Sequence, residues 1–497
     1  MAAHVEVERK YEADSGFSLP DLRDVPGLSN AAEPRHHTLI AHYYDTHDLR
    51  LARQGITLRR RTGDTDDGWH LKLPKPKGGR EEIQRPAGAP GDPPPAELAD
   101  LVLAYTRGGP LVAVAEVRTD RTERALLGQD GIVLAELADD NVTGIRLVPS
   151  PDGATTWREL EVELVDGAED VLNSVGDHLI GFGAHASEAP NKLSIVLGAD
   201  AAPEDHPAEM RTTAQVMSAY LGAQAARMLS YDPWVRLADH DDDSVHKMRT
   251  SIRRFRSILR THRKLVDRAR TESLDAELKW LADVLGEVRD LEVLRARLYA
   301  QLFDLPVPPA EPGWLVEMEH QERLARERLR DVLSSRRYLA LLDRVDGLVT
   351  NPPLRKQAHK AARKQQRKVV TRAWRKMVGA YAEAGKATQE SDRNAALHKT
   401  RKAAKRLRYT AEAAEPVLGK PVGKIANRAQ KLQDVLGDNQ DRVVTAERLA
   451  QITPEPGSTS GAYALGALVT LQRCGDPLAD LPKTWRKAAD RKLIKQL

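Results

Sequence analysis

Near residue 200 the apolar residues of this 497-residue chain stop recurring at every second position and begin recurring at every third or fourth, and no one type of element satisfies both periods. Before that point, residues 5–10, 57–61, 69–73, 113–118, 132–137 and 160–165 alternate in the manner of strands, separated by Gly, Pro and Asp. Residues 86–95 read as a surface loop and 170–183 as one of the few helices in this half. After it come long runs rich in Arg, Leu, Ala and Glu, with prolines at 306–312 and 352–353 marking turns between helices. Single cores stop growing at about 250–300 residues, so the chain is expected to divide. The expectation is an α+β multidomain protein with a strand-built domain over residues 1–198, a linker over 199–211 and a helical domain over 212–497.

Charge divides at the same place. Residues 1–200 hold 21 basic and 34 acidic side chains, a net of −13, and the remainder holds 55 basic and 38 acidic, a net of +17. The second half therefore calls for an anionic partner: nucleic acid, a membrane surface or a phosphate polymer. An aromatic content of 4% leaves few platforms for base stacking, which disfavours nucleic acid. The single cysteine, Cys474, excludes an internal disulfide and a Cys-built zinc cage. A charged N-terminus without an apolar stretch, and no apolar run of about 18 residues, lead us to expect a soluble, cytoplasmic protein.

In the first half the alternation sets charged residues on shared strand faces. Glu6, Glu8 and Lys10 share one, as do Arg59 and Arg61, His70 and Lys72, Glu116 and Arg118, and Glu159, Glu161 and Glu163. An ordinary half-buried sheet would turn any one of these faces to water. A barrel whose lumen holds the charges and whose apolar faces meet flanking helices accounts for the whole set. Carboxylates suit hard divalent cations and Arg and Lys suit phosphate oxygens, so the combination points to metal-assisted phosphoryl transfer; no Walker Gly-rich loop accompanies it.

Glu6-x-Glu8-x-Lys10 resembles the ExExK signature of the CYTH superfamily, the triphosphate tunnel metalloenzymes. Tyr43-Tyr44-Asp45-Thr46, the strand Leu58–Arg61, Lys72, Arg118, Glu159/Glu161/Glu163 and Asn191-Lys192 follow in the family's order, with Asn where Ser is common before the last lysine. The resemblance implies an eight-stranded antiparallel barrel forming a closed tunnel, and a triphosphatase: a hydrolase of inorganic triphosphate or a related triphosphate compound, with Mg²⁺ or Mn²⁺ as cofactor. By it Glu6, Glu8, Glu161 and Glu163 bind the metal, Lys10 joins Glu6 and Glu8 in catalysis, and Lys10, Arg59, Arg61, Lys72, Arg118 and Lys192 bind substrate. Triphosphate, longer chains, thiamine triphosphate and ATP present the same oxygens, and adenylate cyclase activity is also known in the superfamily.

The second half contains a repeat. His246-Lys247-Met248-Arg249 through Arg256 matches His398-Lys399-Thr400-Arg401 through Arg408, and Leu281 to Gly286 with Asp290 matches Leu432 to Gly437 with Asp441. On a helix, His246, Arg249, Arg253 and Arg256 form one stripe, and His398, Arg401, Lys405 and Arg408 another. Such stripes repel themselves and call for anions, either Asp283, Asp290, Asp434 and Asp441 or an external phosphate polymer. Histidines there would strengthen binding at lower pH. Lys360 and Arg363 add a further basic stretch.

This pattern resembles the CHAD domain, which implies two related four-helix bundles facing each other across a basic groove that binds inorganic polyphosphate, with the residues of the two stripes and Lys360 and Arg363 as contacts. Association with polyphosphate granules would follow. The competing reading is a polyphosphate-binding or granule-associated protein whose barrel is inactive or weakly active.

Overall fold

In a computed structural model the described residues are 7–14, 16–63, 67–76, 78–148, 153–201, 210–237, 243–305, 311–453, 458–474 and 477–497. The chain forms two compact units, Met1–Asp205 and His206–Leu497. Most of the expected linker, residues 202–209, lies outside the described residues, as does Glu6.

Among the described residues the first unit is one ten-stranded antiparallel sheet: β1 Glu8–Glu12, β2 Asn30–Ala31, β3 Arg35–Asp45, β4 Thr57–Thr62, β5 Gly68–Pro74, β6 Arg80–Arg85, β7 Val112–Leu127, β8 Val133–Arg146, β9 Thr155–Leu164 and β10 His185–Ala186. The order is β10-β1-β9-β8-β7-β3-β4-β5-β6, with β2 on β7. The expected closed eight-stranded barrel is not formed. The end of β1 is hydrogen-bonded to β9 on one edge and to β10 on the other, so its edge is taken there, and β6 pairs with β5 alone. The sheet nevertheless curls, because side chains of β1 and of the far strand β6 line one cavity.

Strand alternation sorts the two faces. Leu137, Leu160 and Val162 point outward and bury Leu172, Val175 and Leu179 of helix α3 (Glu169–Gly181), which follows the short helices α1 (Ala96–Leu101) and α2 (Leu103–Thr106). Helix α4 (Lys192–Leu197) instead packs Leu193 and Leu197 with Val117 and Val142 of the inner face. It comes so close that a Cβ on Gly144 would stand 2.3 Å from Val196, so β8 requires glycine there.

The second unit is helical: α5 Thr213–Ser230, α6 Asp232–Arg236, α7 Ser244–Thr261, α8 Arg268–Phe303, α9 Gly313–Leu333, α10 Arg336–Thr350, α11 Ala362–Ala384, α12 Glu390–Leu418, α13 Lys420–Leu449, α14 Thr459–Arg473, α15 Leu481–Ala488 and α16 Arg491–Lys495. The repeated motifs fall on α7/α8 and α12/α13. Val370, Leu407, Ile425 and Leu436 share one core with the C-terminal helices, while Leu298, Met318, Leu449 and Leu468 join α8, α9, α13 and α14 in another. α7 and α12, the two basic helices, also pack against each other.

Candidate phosphate site and basic groove

The inner face of the curled sheet encloses a cavity of about 380 Å³. Strand register decides which side chains enter it: Glu8 and Lys10 of β1 stand opposite Glu163 and Glu161 of β9, Arg59 of β4 opposite Tyr43 of β3, and Lys72 of β5 opposite Glu82 of β6. Seven cations (Lys10, Arg59, Arg61, Lys72, Arg80, Arg121 and Lys192) meet four carboxylates (Glu8, Glu82, Glu161 and Glu163) along the lining. The excess of positive charge suits a polyanion.

At the deep end Lys192 lies 3.0 Å from Asp140, 2.5 Å from Glu159 and 3.1 Å from Glu161. Lys10 donates to Glu161 at 2.6 Å, and Arg121 reaches Asp140 at 2.7 Å and Glu161 at 2.8 Å. Burial opposes the charge on Lys192, but Glu161, Asp140 and Glu159 outweigh it and hold the ammonium protonated well above the ordinary lysine range. Burial likewise works against the Glu161 carboxylate, and the positive Lys192, Lys10 and Arg121 overcome it, keeping Glu161 ionised.

Two guanidiniums face the remaining space. Arg61 is pushed down to about 10 by burial and by the like charges of Arg59 and Arg121, and the buried Arg59 Nε has no hydrogen-bond partner among the described residues. Crowded, desolvated guanidiniums favour an anion between them. Lys72 sits 3.4 Å from Glu82, which also accepts a 2.6 Å contact from the buried His70 ring.

The carboxylate oxygens of Asp140, Glu159 and Glu161 lie within 4.8 Å of one another, a donor set that could hold a divalent cation. Their charge is already matched by three protein cations. Glu8 and Glu163 stand directly opposite each other across β1 and β9, with Lys10 3.4 Å from Glu8.

The structure brings Glu8, Lys10, Arg59, Arg61, Lys72, Glu161, Glu163 and Lys192 together in this cavity. It removes Arg118. β7 presents Val117, Thr119 and Arg121 inward, so Arg118 points to the other face, 57% exposed beside Asp120. Beyond Val117 both faces of β7 are polar, which hides the phase of the strand from the sequence. Arg121 and Asp140 were missed for that reason, and the Asp139-Asp140-Asn141 run of β8 is equally free of alternation. Asp45 proves structural: it is buried and accepts backbone N–H groups of Thr46, Leu51 and Ala52, fixing the loop after β3. Asn191 performs the task a serine would, its side chain capping α4 at Ser194 and so aiming Lys192 into the cavity.

In the helical unit the two stripes meet at their middles. Lys405 is pushed down to about 7 by burial and by Arg253, Arg401 and Arg249, with Asp441 opposing. Arg249 and Arg401 each lie 3.8 Å from the repeat's own aspartate, Asp290 and Asp441. Gly286 and Gly437 make room for them, since a Cβ there would come within 3.0 Å of the Arg249 guanidinium and 3.2 Å of that of Arg401. The repeated glycines thus seat the repeated arginines. Among the described residues Arg253 reaches the Thr250 and Tyr409 hydroxyls, at 3.5 and 3.4 Å.

The stripe ends behave otherwise than the sequence suggests. Arg256 is tied to Asp275 at 2.9 Å and Arg408 to Glu412 at 2.7 Å, so both are spent on internal pairs. Asp283 and Asp434 are taken by neighbours on their own helices, Lys279 and Gln430. Lys360 and Arg363 stand exposed at the start of α11, and no ion pair involves either among the described residues. Burial, reinforced by Arg289 and Arg253, pushes His246 down to about 4, and burial with Lys402 and Arg401 lowers His398. Both shifts favour the neutral imidazole, because each ring is buried among cations.

The CYTH domain family matches residues 4–182 and the CHAD domain family residues 219–450. An uncharacterized protein of Mycobacterium tuberculosis strain H37Rv is 35% identical over 517 residues, covering 99% of this chain and 97% of its own. The chain belongs to the CYTH–CHAD family. Among solved structures, the CHAD domain from the plant Ricinus communis aligns with a TM-score of 0.44 and 21% identity over 60% of this chain and 97% of that one. A Hippeastrum adenylyl cyclase-like protein, described as having a dominant triphosphatase activity, aligns at 0.24 and 18% over 38% and 94%. By the residues that the two family models match, the curled sheet carries the CYTH domain and the helical unit the CHAD domain. No helix among the described residues is long and apolar enough to cross a membrane.

Proposed function

We propose that the CYTH cavity hydrolyses inorganic triphosphate, or a related triphosphate compound, and that the CHAD groove binds inorganic polyphosphate. One observation carries the first part: a single enclosed space presents phosphate-binding cations and opposed carboxylates on rigid strands. Water adds to the terminal phosphorus, the P–O–P bridge breaks, and orthophosphate and pyrophosphate leave. A Mg²⁺ or Mn²⁺ held by Glu6, Glu8, Glu161 and Glu163 would draw charge from the phosphoryl oxygens and acidify a bound water. Arg59, Arg61, Lys72 and Arg121 bind and align the chain, the preorganised charge that phosphoryl transfer relies on. Lys10, fixed between Glu8 and Glu161, holds an ammonium at the carboxylate end of the cavity.

The test is phosphate release from inorganic triphosphate, ATP and thiamine triphosphate, with Mg²⁺ or Mn²⁺ and with chelator. Release that the chelator stops supports the reading and ranks the substrates. A second reading, a polyphosphate-binding protein with an inactive barrel, draws on the neutralisation of Asp140, Glu159 and Glu161 by protein cations. No release from any of the three, with polyphosphate still retained, selects it.

Polyphosphate binding in the groove should weaken as pH rises through about 7, where Lys405 loses its proton. An anion stabilises the ammonium and so takes up a proton on binding above that pH. The facing groups are Arg249 and Arg253 from α7, Arg401 from α12 and Asp441 from α13. Lys405→Arg keeps its charge throughout and should flatten the profile; unchanged slopes would remove Lys405 from the groove.

A further inference from the structure

The CHAD domain holds a second concavity, of about 560 Å³, between the end of α7, the start of α8, and α11 and α12. That lies within the range of about 300–1,000 Å³ usual for small-ligand sites. None of its lining residues belongs to the stretches His246–Arg253 or His398–Lys405 of the two basic stripes. Its floor is apolar and buried, made by Leu259, Val266, Val369 and Ala373.

Two acids line it, and both are already engaged: Asp275 by Arg260 at 2.7 Å and by Arg256, and Glu272 by Arg268 at 3.0 Å. Arg263, Lys264, Arg372, Lys376 and Arg406 have no ion-pair partner among the described residues. Five exposed cations from three chain segments thus surround one hollow with no protein counter-ion among the described residues, a concentration of positive charge that suits an anion. The repeat offers an internal comparison. Positions 152 residues beyond Arg260 and Arg263 are Glu412 and Glu415, so the corresponding surface of the second repeat carries the opposite charge. Arg260 and Arg263 therefore have no basic counterparts in the second repeat.

We propose that this hollow is a second anion site, independent of the groove, for a compact organic molecule bearing several phosphates. The cations arranged around it suit clustered phosphate esters, and the apolar floor suits a carbon framework, which a bare phosphate chain lacks. Occupancy would tie α7 and α8 of one repeat to α11 and α12, joining the two halves of the domain beside the groove.

The experiment is calorimetric titration of the full chain with myo-inositol hexakisphosphate, alone and with long-chain polyphosphate already bound. The probe should still bind when polyphosphate saturates the groove. Arg372→Gln/Lys376→Gln should weaken the probe by about tenfold or more, the worth of one or two charge-assisted hydrogen bonds, and leave polyphosphate affinity within about threefold. Arg263→Gln/Lys264→Gln, on the segment after α7, reads the same site should the first variant melt early. Displacement of the probe one-for-one by polyphosphate, or wild-type probe affinity in both variants, would overturn the proposal.

Discussion

Lys192→Met should lower the unfolding free energy by about 3–5 kcal/mol, the usual cost of removing one partner from a buried charge network. The substitution keeps most of the apolar stem and removes an ammonium that touches Asp140, Glu159 and Glu161. Arg121 still serves Asp140, and with Lys10 it still serves Glu161, but Glu159 keeps only the Trp157 indole N–H at 2.7 Å. Burial already raises the affinity of Glu159 for a proton, so the variant should take one up there on folding at neutral pH. Urea denaturation measures the loss, and a change below about 1 kcal/mol would show that Lys192 is not the counter-ion on which the inner end of the CYTH domain depends.

Arg59→Ala/Arg61→Ala should reduce kcat/KM for triphosphate by about 10²–10⁴, since each guanidinium is expected to make charge-assisted hydrogen bonds of about 1.5–3 kcal/mol with the phosphate chain. Arg118→Ala, whose side chain faces away from the cavity, should stay within about twofold of wild type, as surface substitutions commonly do. The contrast separates the strand phase seen in the structure from the one the sequence suggests. Equal losses in the two variants would mean that β7 turns its other face inward in the working enzyme. Steady-state phosphate release decides between them.

How much of this could be read from the residues varied with how strongly local chemistry constrained them. β5 around Lys72 and β9 from Glu159 to Leu164 alternate apolar and charged residues, and in β1 and β4, where Arg9 and Arg60 interrupt that alternation, the two-residue spacing of Glu8 with Lys10 and of Arg59 with Arg61 still sets each pair on one face, so these inward sets followed from the period of two. β7 and β8 run polar on both faces around Arg118–Arg121 and Asp139–Asn141, and there only cross-strand register places Arg121 and Asp140. Barrel closure was an expectation of resemblance, and closure depends on which edges are free, which the pattern within a strand does not encode. In the CHAD domain the repeat revealed both stripes, including the aspartates that face Arg249 and Arg401. It did not reveal that Arg256 and Arg408 would be drawn to Asp275 and Glu412, because those partners are set by packing between helices and by a local turn of charge. The lowered protonation of His246 and Lys405 also comes from burial among other cations, a product of tertiary structure.

On the function proposed above, opposed carboxylates in the CYTH cavity support metal-dependent phosphate release. The direct measurement compares wild type with Glu6→Gln/Glu8→Gln for release from inorganic triphosphate at saturating Mg²⁺ or Mn²⁺, with chelator as the blank. Wild type should release phosphate in a manner that chelator abolishes, and the variant, with its fold intact, should fall by at least about 10³, the scale on which electrostatic groups at a reacting phosphate are felt. Release that persists in the variant, or that ignores the chelator, would contradict it.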